Sequence, residues 1–168
     1  MAVLKGVYLK CDFHPDHMLN EIKESILVAC RQYVDQRIVN ARQAIASANE
    51  AAIGDGKSSA GDKFETTREM MQQEIARNQQ LWMDALRMEQ VLAALDARSH
   101  KGTAKLGSLV ATNHGTFFLA ISIGQLIVGD ANYWVVSTAS PIGQQLVGRE
   151  AGQEFTFNGV TYAIGHVT

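Results

Sequence analysis

Apolar residues recur at steps of three and four along the first half of the chain. One stripe ends before Gly54 and the other begins after Met70, and a polar, glycine-containing segment separates them. This spacing is typical of two amphipathic helices with narrow, heptad-like apolar faces. The first stripe, which includes one shift of phase, consists of Leu19, Ile22, Ile26, Ala29, Tyr33, Ile38, Ala41, Ile45, Ala48 and Ala52. The second stripe consists of Met71, Ile75, Asn78, Trp82, Ala85, Met88, Leu92 and Leu95.

The two predicted helices are long and are joined by a short turn. A helix start is predicted near His17, Gly54 ends that helix, and a second helix starts near Asp62. Each helix would run for roughly 35 residues, or about 50 Å. Two such helices bury their stripes against each other. We therefore expect an antiparallel coiled-coil hairpin over residues 17–97, with its tip at 54–65.

The pattern changes after a polar linker at residues 98–105. Short apolar runs then alternate with turn residues, which predicts two pairs of strands followed by a closing hairpin around Asn158 and Gly159. Between them, Ser140 suits a helix N-cap and Pro141 the first helical position, so a short helix is predicted there. With residues 1–16 as an N-terminal arm and residues 106–168 as a compact β-rich domain, the fold class is α+β.

Composition narrows the functional classes. The chain has 168 residues, of which 46% are hydrophobic and 19% charged, and its formal net charge is −2. These values describe an ordinary soluble globular protein and exclude a nucleic-acid-binding polycation. No apolar run approaches the ~20 residues of a membrane span, and no secretory signal is expected. Two cysteines are too few for a disulfide framework, which favours a cytoplasmic location.

Two carboxylates stand three positions apart at the predicted hairpin tip. Asp62 and Glu65 fit a capping box, in which both side chains would bind main-chain N–H groups of their own helix. Residues three apart also share a helix face, with Cβ atoms roughly 5–6 Å apart. The same pair could therefore share Mg²⁺, which takes few protein carboxylates and borrows its other ligands. Alone the pair would bind weakly, so a partner site would have to complete the coordination.

Other polar groups give weaker signals. Cys11, His14 and His17 could suggest a metal site in the N-terminal arm, but their spacing matches no standard zinc pattern. The positive residues Lys57, Lys63 and Arg68 lie near the tip. They fit a solvated helix face, and they also fit guidance of the tip into a cavity lined by nucleic acid.

Three stretches of the chain resemble the bacterial GreA/GreB transcript cleavage factors. Gly61–Glu65 is similar to the tip of that family, in which a Gly-Asp pair is followed by glutamate three residues after the aspartate. Ser140–Gly152 is similar to the Ser-Pro-Ile-Ala run of the family and its following Gly-rich turn, with Gly143 in place of the alanine. Phe155–Val167 is similar to the last strands of the FKBP-like C-terminal domain. The resemblance extends over most of the chain, from about His17 onward.

The resemblance implies an accessory factor for RNA polymerase that is not an enzyme alone. The β-rich domain, through Ser140, Pro141 and Ile142, would dock at the rim of the secondary channel of the polymerase. The hairpin would enter that channel and bring Asp62 and Glu65 to the active centre. There they would help to hold the second Mg²⁺ and so stimulate cleavage of backtracked RNA. A monomer that contacts nascent RNA only indirectly, in the cytoplasm, is expected.

Three alternatives remain open at this stage. The protein could occupy the channel as a regulator or inhibitor without stimulating cleavage. It could be a prolyl isomerase, which would need an aromatic-lined pocket that the sequence does not reveal. It could also be a coiled-coil adaptor, in which any polar turn would serve as the tip.

Overall fold

The computed structural model describes residues 15–54, 61–96 and 102–168, without the side chains of residues 15–17, 54 and 61–64. Residues 1–14 of the predicted N-terminal arm, with Cys11 and His14, lie outside the described residues, as do residues 98–101 of the predicted linker. The fold is α+β, as expected. The chain forms two long helices, α1 (Pro15–Gly54) and α2 (Gly61–Ala93), followed by six strands and one short helix. These later elements are β1 (Leu109–Thr112), β2 (Gly115–Ala120), β3 (Gly124–Val128), β4 (Ala131–Ser137), α3 (Pro141–Leu146), β5 (Glu154–Phe157) and β6 (Val160–Val167).

The long helices pack against each other as an antiparallel hairpin. Val34 and Leu92 share one buried cluster, and the guanidinium of Arg42 lies 5.3 Å from the ring centroid of Trp82. Residues later in α1 therefore pack against residues earlier in α2, as expected for antiparallel helices. No helix among the described residues has the length and apolar character needed to cross a membrane.

Every residue of the predicted α1 stripe is buried or half-buried, but one fully buried row that the prediction missed in part continues along the helix as a heptad without a shift of phase. Leu27, Val34, Ala41 and Ala48 follow each other at steps of seven and are each at most 5% exposed. Ala29 and Tyr33, which were predicted to carry the stripe, are only half-buried. The predicted stripe of α2 is confirmed, because every one of its residues is buried or half-buried.

The six strands form one sheet in the order β3-β4-β2-β1-β6-β5. All neighbours are antiparallel except β2 and β4, which run parallel with Ala120 opposite Ser137. Asn158 and Gly159 both have positive φ, 51° and 79°, in the turn between β5 and β6. Positive φ at both central residues is required by the predicted type I′ turn.

Each face of the sheet is covered by a different apolar core. On one face, side chains such as Phe118 and Val135 pack with Ile26, Leu27 and other residues from the base of the hairpin. On the opposite face, α3 supplies Leu146 to a second core. That core also contains Ala104, Val110, Phe117, Leu119, Phe155, Ile164 and Val167. The base of the hairpin is therefore part of the hydrophobic interior of the β domain.

The rest of the hairpin extends beyond the sheet. Among the described residues, the sheet-facing core takes side chains from α1 only between Leu19 and Ile38. From α2 and the residues just after it, it takes side chains only between Met88 and Leu95. Glu65 precedes Met88 by 23 residues. At 1.5 Å per residue, Glu65 lies about 35 Å along α2 from Met88, where the helix contacts the sheet-facing core.

Candidate functional site

The described residues next to the predicted tip, Gly54 and those from Gly61 onward, lie at the end of the hairpin that is far from the sheet. Helix α2 begins at Gly61, so Asp62 falls within the first turn of the helix. Its side chain lies outside the described part of the structure, as do Lys57 and the side chain of Lys63. Glu65 is described, and its side chain is exposed to solvent. The structure thus places one of the two predicted tip carboxylates.

The surroundings of Glu65 bear on how it can act. Within the described residues, its carboxylate forms neither a hydrogen bond nor an ion pair, so nothing described competes for its oxygens. It stands near the N-terminus of a helix, where unpaired main-chain N–H groups favour negative charge. An exposed, unpaired carboxylate fits the demand that Mg²⁺ makes for hard oxygen ligands. The described residues contain no group of three or more His, Cys, Asp and Glu side chains that could enclose an ion by themselves.

Positive charge accompanies the carboxylate on the distal part of the hairpin. Arg68 lies one turn beyond Glu65 and is exposed. Arg42, also exposed, stacks on Trp82 and is thus fixed against the hairpin surface. The described part of the tip therefore carries charges of both signs.

The predicted docking segment lies at the other end of the molecule, where β4 leads into α3. Ser140 caps α3, because its Oγ accepts a hydrogen bond from the N–H of Gly143 at 3.2 Å and donates one to the carbonyl of Ser137 at 2.6 Å. The hydroxyl of Ser140 is therefore occupied by the fold. Pro141 is exposed, and Ile142 is half-buried like Ser140, so Pro141 is the most accessible of the three residues.

Ile142 also lines a pocket that the sequence analysis missed. The pocket has a volume of about 290 Å³ and lies on the α3 side of the sheet. Aromatic rings form most of its wall, and its lining comprises His114, Phe117, Trp134, Val136, Ile142 and Tyr162. Tyr162 stacks on Phe155 with ring centroids 5.0 Å apart, and His114 meets Tyr162 edge-on at 5.1 Å. The pocket wall is thus held by ring contacts beneath it.

The pocket could not have been found from the sequence alone. His114 lies in the β1–β2 turn, Trp134 on β4 and Tyr162 on β6, and only the sheet order brings them together. The one local signal was the alternation in β4, where Tyr133 and Val135 are buried and Trp134 between them is 40% exposed. A single partly exposed aromatic residue is common on protein surfaces, so this signal alone did not identify a pocket.

Comparisons with protein-family models, with curated proteins and with solved structures found no match. The description of the site therefore depends on the residues and geometry of this chain.

Proposed function

We propose that this protein binds bacterial RNA polymerase and inserts its hairpin into the secondary channel, where it stimulates cleavage of backtracked RNA. The observation that carries the proposal is the position of Glu65. This carboxylate is exposed, has no partner among the described residues, and stands about 35 Å along α2 from the β domain. A narrow two-helix rod of this length suits the delivery of side chains into a deep channel. The similarity of residues 61–65 and 140–152 to the GreA/GreB factors supports the same function.

In this function, the protein would position two carboxylates and supply their negative charge. The β domain anchors the rod, because Ile26 and Leu27 of α1 are buried in the same core as Phe118 of the sheet. Asp62 and Glu65, three residues apart on one helix face, would present their oxygens together. Mg²⁺ bound between them and the polymerase would supply positive charge to the attacking and leaving oxygens of the phosphodiester. The chemistry belongs to the polymerase, so this protein would be an accessory factor and not an enzyme alone.

Docking would use the apolar surface beside α3. Few charged residues occur in the β domain, which suits an interface core formed by apolar and uncharged polar groups. Pro141 is the most accessible of the three predicted docking residues. We expect Pro141→Glu to weaken binding to the polymerase. Gln145→Glu adds the same charge to the same helix at another exposed position and serves as the matched control.

The test of the proposal is RNA shortening in a stalled, backtracked elongation complex with Mg²⁺. Glu65→Gln and Asp62→Asn should each slow the shortening by on the order of a hundredfold, since each removes a charge that acts at the reacting phosphate. Glu69→Gln, at an exposed position one turn further along α2, should leave the rate unchanged. Binding without any stimulation by the wild-type protein would overturn the proposed cleavage activity and favour a channel-occupying regulator or inhibitor. Failure to bind the polymerase would overturn both.

The aromatic pocket favours a second candidate function, the binding and isomerisation of proline-containing peptides. Proline rings dock in aromatic-lined grooves, and Trp134, Tyr162 and Phe117 form such a wall. A proline-peptide isomerisation assay tests this candidate directly. Trp134→Ala should abolish any activity, because it removes the exposed ring. If the wild-type protein does not accelerate isomerisation, this candidate is wrong.

A further inference from the structure

A cleft of about 300 Å³ opens between the helical hairpin and the sheet, well away from the tip. Strands β2 and β4 are parallel neighbours, so their carboxyl ends meet at the same edge of the sheet, and both ends line this cleft. Ser122 follows one strand and Ser137 ends the other. In sheets with parallel strands, ligands commonly bind outside the carboxyl ends of those strands.

Among the residues that the structure describes, the charged ones that line the cleft, Arg37, Asp84 and Arg87, leave one positive charge unpaired. Arg87 is compensated, since its Nη1 lies 3.0 Å from Oδ1 of Asp84, which also accepts a hydrogen bond from Gln80. Arg37 is half-buried and donates a hydrogen bond to the hydroxyl of Tyr33 at 2.9 Å. Within the described part of the chain, no carboxylate lies within ion-pair distance of Arg37. A guanidinium has five N–H donors, so most of those on Arg37 remain available to an anion.

The other groups around the cleft suit a particular anion. Oγ of Ser137 accepts a hydrogen bond from the N–H of Ala139, which leaves the hydroxyl proton free to be donated. Ser122 is exposed on the neighbouring strand end. A phosphate monoester offers three acceptor oxygens, enough for the guanidinium and both hydroxyls, whereas a carboxylate offers two. The apolar part of the cleft, which includes Met88, can cover an uncharged body attached to the phosphate.

We propose that this cleft binds a small phosphate monoester, with the phosphate at Arg37 and its organic part against the apolar floor of the cleft. This site is independent of the polymerase and of the hairpin tip. It requires only the full chain in solution, so its test succeeds or fails separately from the test of the proposed cleavage activity.

The experiment measures binding of adenosine monophosphate to the full chain by calorimetry and by amide NMR spectra. Wild-type protein should bind the monophosphate and not adenosine, with amide shifts at Ser122 and Ser137. Arg37→Gln should weaken binding by roughly tenfold or more, because hydrogen bonds to a charged group are lost. Arg42→Gln is the matched control. Both Arg37 and Arg42 belong to α1, and each guanidinium lies over an aromatic ring, at 5.6 Å from the Tyr33 centroid for Arg37 and at 5.3 Å from the Trp82 centroid on α2 for Arg42. Arg42 lies outside the cleft. Arg42→Gln should leave the affinity unchanged.

A second variant is needed because Arg37→Gln could perturb α1 itself. Ser122→Asp changes an exposed side chain and places a negative charge at the cleft, so it should abolish binding while the circular dichroism spectrum stays unchanged. Equal binding of adenosine would show that the phosphate is not recognised and would overturn the proposal. No binding at roughly millimolar monophosphate, or binding that both variants retain, would overturn it as well.

Discussion

Gly143 of α3 lies directly against the main-chain carbonyl of Ser137, at the end of β4. A Cβ atom on residue 143 would overlap that oxygen and would lie 2.9 Å from Oγ of Ser140. The close approach is enforced by the cap of α3, because Ser140 binds both Ser137 and Gly143. This geometry gives a physical reason for the glycine at position 143.

Gly143→Ala should therefore destabilise the β domain by roughly 1–3 kcal/mol, since a methyl group is forced into filled space. Denaturant unfolding followed by fluorescence measures the effect. Gly165→Ala is the control, because the nearest atom to its new Cβ would be the Ala111 carbonyl oxygen at 3.8 Å. Equal effects of the two substitutions would contradict the close contact at Gly143.

Lys23 is fully buried at the base of the hairpin, and its Nζ has no hydrogen-bond partner among the described residues. Burial lowers the pKa of Lys23 from 10.5 to about 8, with Asp96 opposing this shift and Lys105 adding to it. The unfolded chain thus holds this proton more tightly than the folded protein does. The contribution of Lys23 to stability rises as the pH increases from about 8 to 10.5 and is lowest, and constant, below about 8.

We expect Lys23→Met to increase the free energy of unfolding at pH 7 by on the order of 3 kcal/mol, because the buried charge is removed. The gain over wild type should shrink above pH 8. Urea unfolding of both proteins at several pH values measures this difference, and the titration of all other groups cancels in it. Lys105→Met, at an exposed position, should have little effect at pH 7. A gain that does not depend on pH would mean that Lys23 is not a buried, titrating group.

Cys30 should react very slowly with alkylating reagents. Burial raises the pKa of its thiol to about 11, with Arg31 opposing this shift. The thiolate is the reactive form, so at pH 8 its smaller population alone slows the reaction by roughly a hundredfold relative to a free cysteine. Labelling in a Cys11→Ser background, followed by mass spectrometry, isolates Cys30. Ser25→Cys in a cysteine-free background provides an exposed thiol on the same helix. Similar labelling rates at the two positions would contradict the burial of Cys30.

The distal part of the hairpin depends on small side chains. Ala48 is 5% exposed on the heptad stripe of α1, whereas Ala46, two residues earlier, faces solvent. Ala48→Leu should destabilise the hairpin by roughly 1–3 kcal/mol, because the larger side chain separates the helices. Ala46→Leu makes the same chemical change on the outer face and should alter the stability by a few tenths of a kcal/mol at most. Thermal unfolding followed by far-UV circular dichroism compares the two, and a larger loss for Ala46→Leu would refute the assigned face.

Much of the fold followed from local patterns. The Ser140 cap, the Asn158–Gly159 turn and the stripe of α2 each depend on residues a few positions apart, and all three were predicted correctly. The stripe of α1 was predicted in part, since its residues are buried or half-buried, but the prediction passed over Leu27 and Val34, which are each 1% exposed. Long-range geometry decided which apolar residues face α2, and a sequence pattern does not contain that information.

The candidate sites were predicted less completely for the same reason. Glu65 was found because its spacing from Asp62 is local. The Arg37 cleft and the Trp134 pocket are formed by elements far apart in sequence, so they appear only in the folded chain. Lys23 escaped notice because a lysine in an amphipathic helix is normally assigned to the solvent face.

The shared core of Ile26, Leu27 and Phe118 has a mechanical consequence. The base of the hairpin is packed into the core of the sheet. The hairpin therefore cannot rotate relative to the β domain without exposing that apolar core to water. A sideways force on the distal end of the hairpin would act as a torque on the contacts between its base and the sheet. Optical-trap pulling from the two ends of the hairpin should therefore show the rod and sheet yielding in one event.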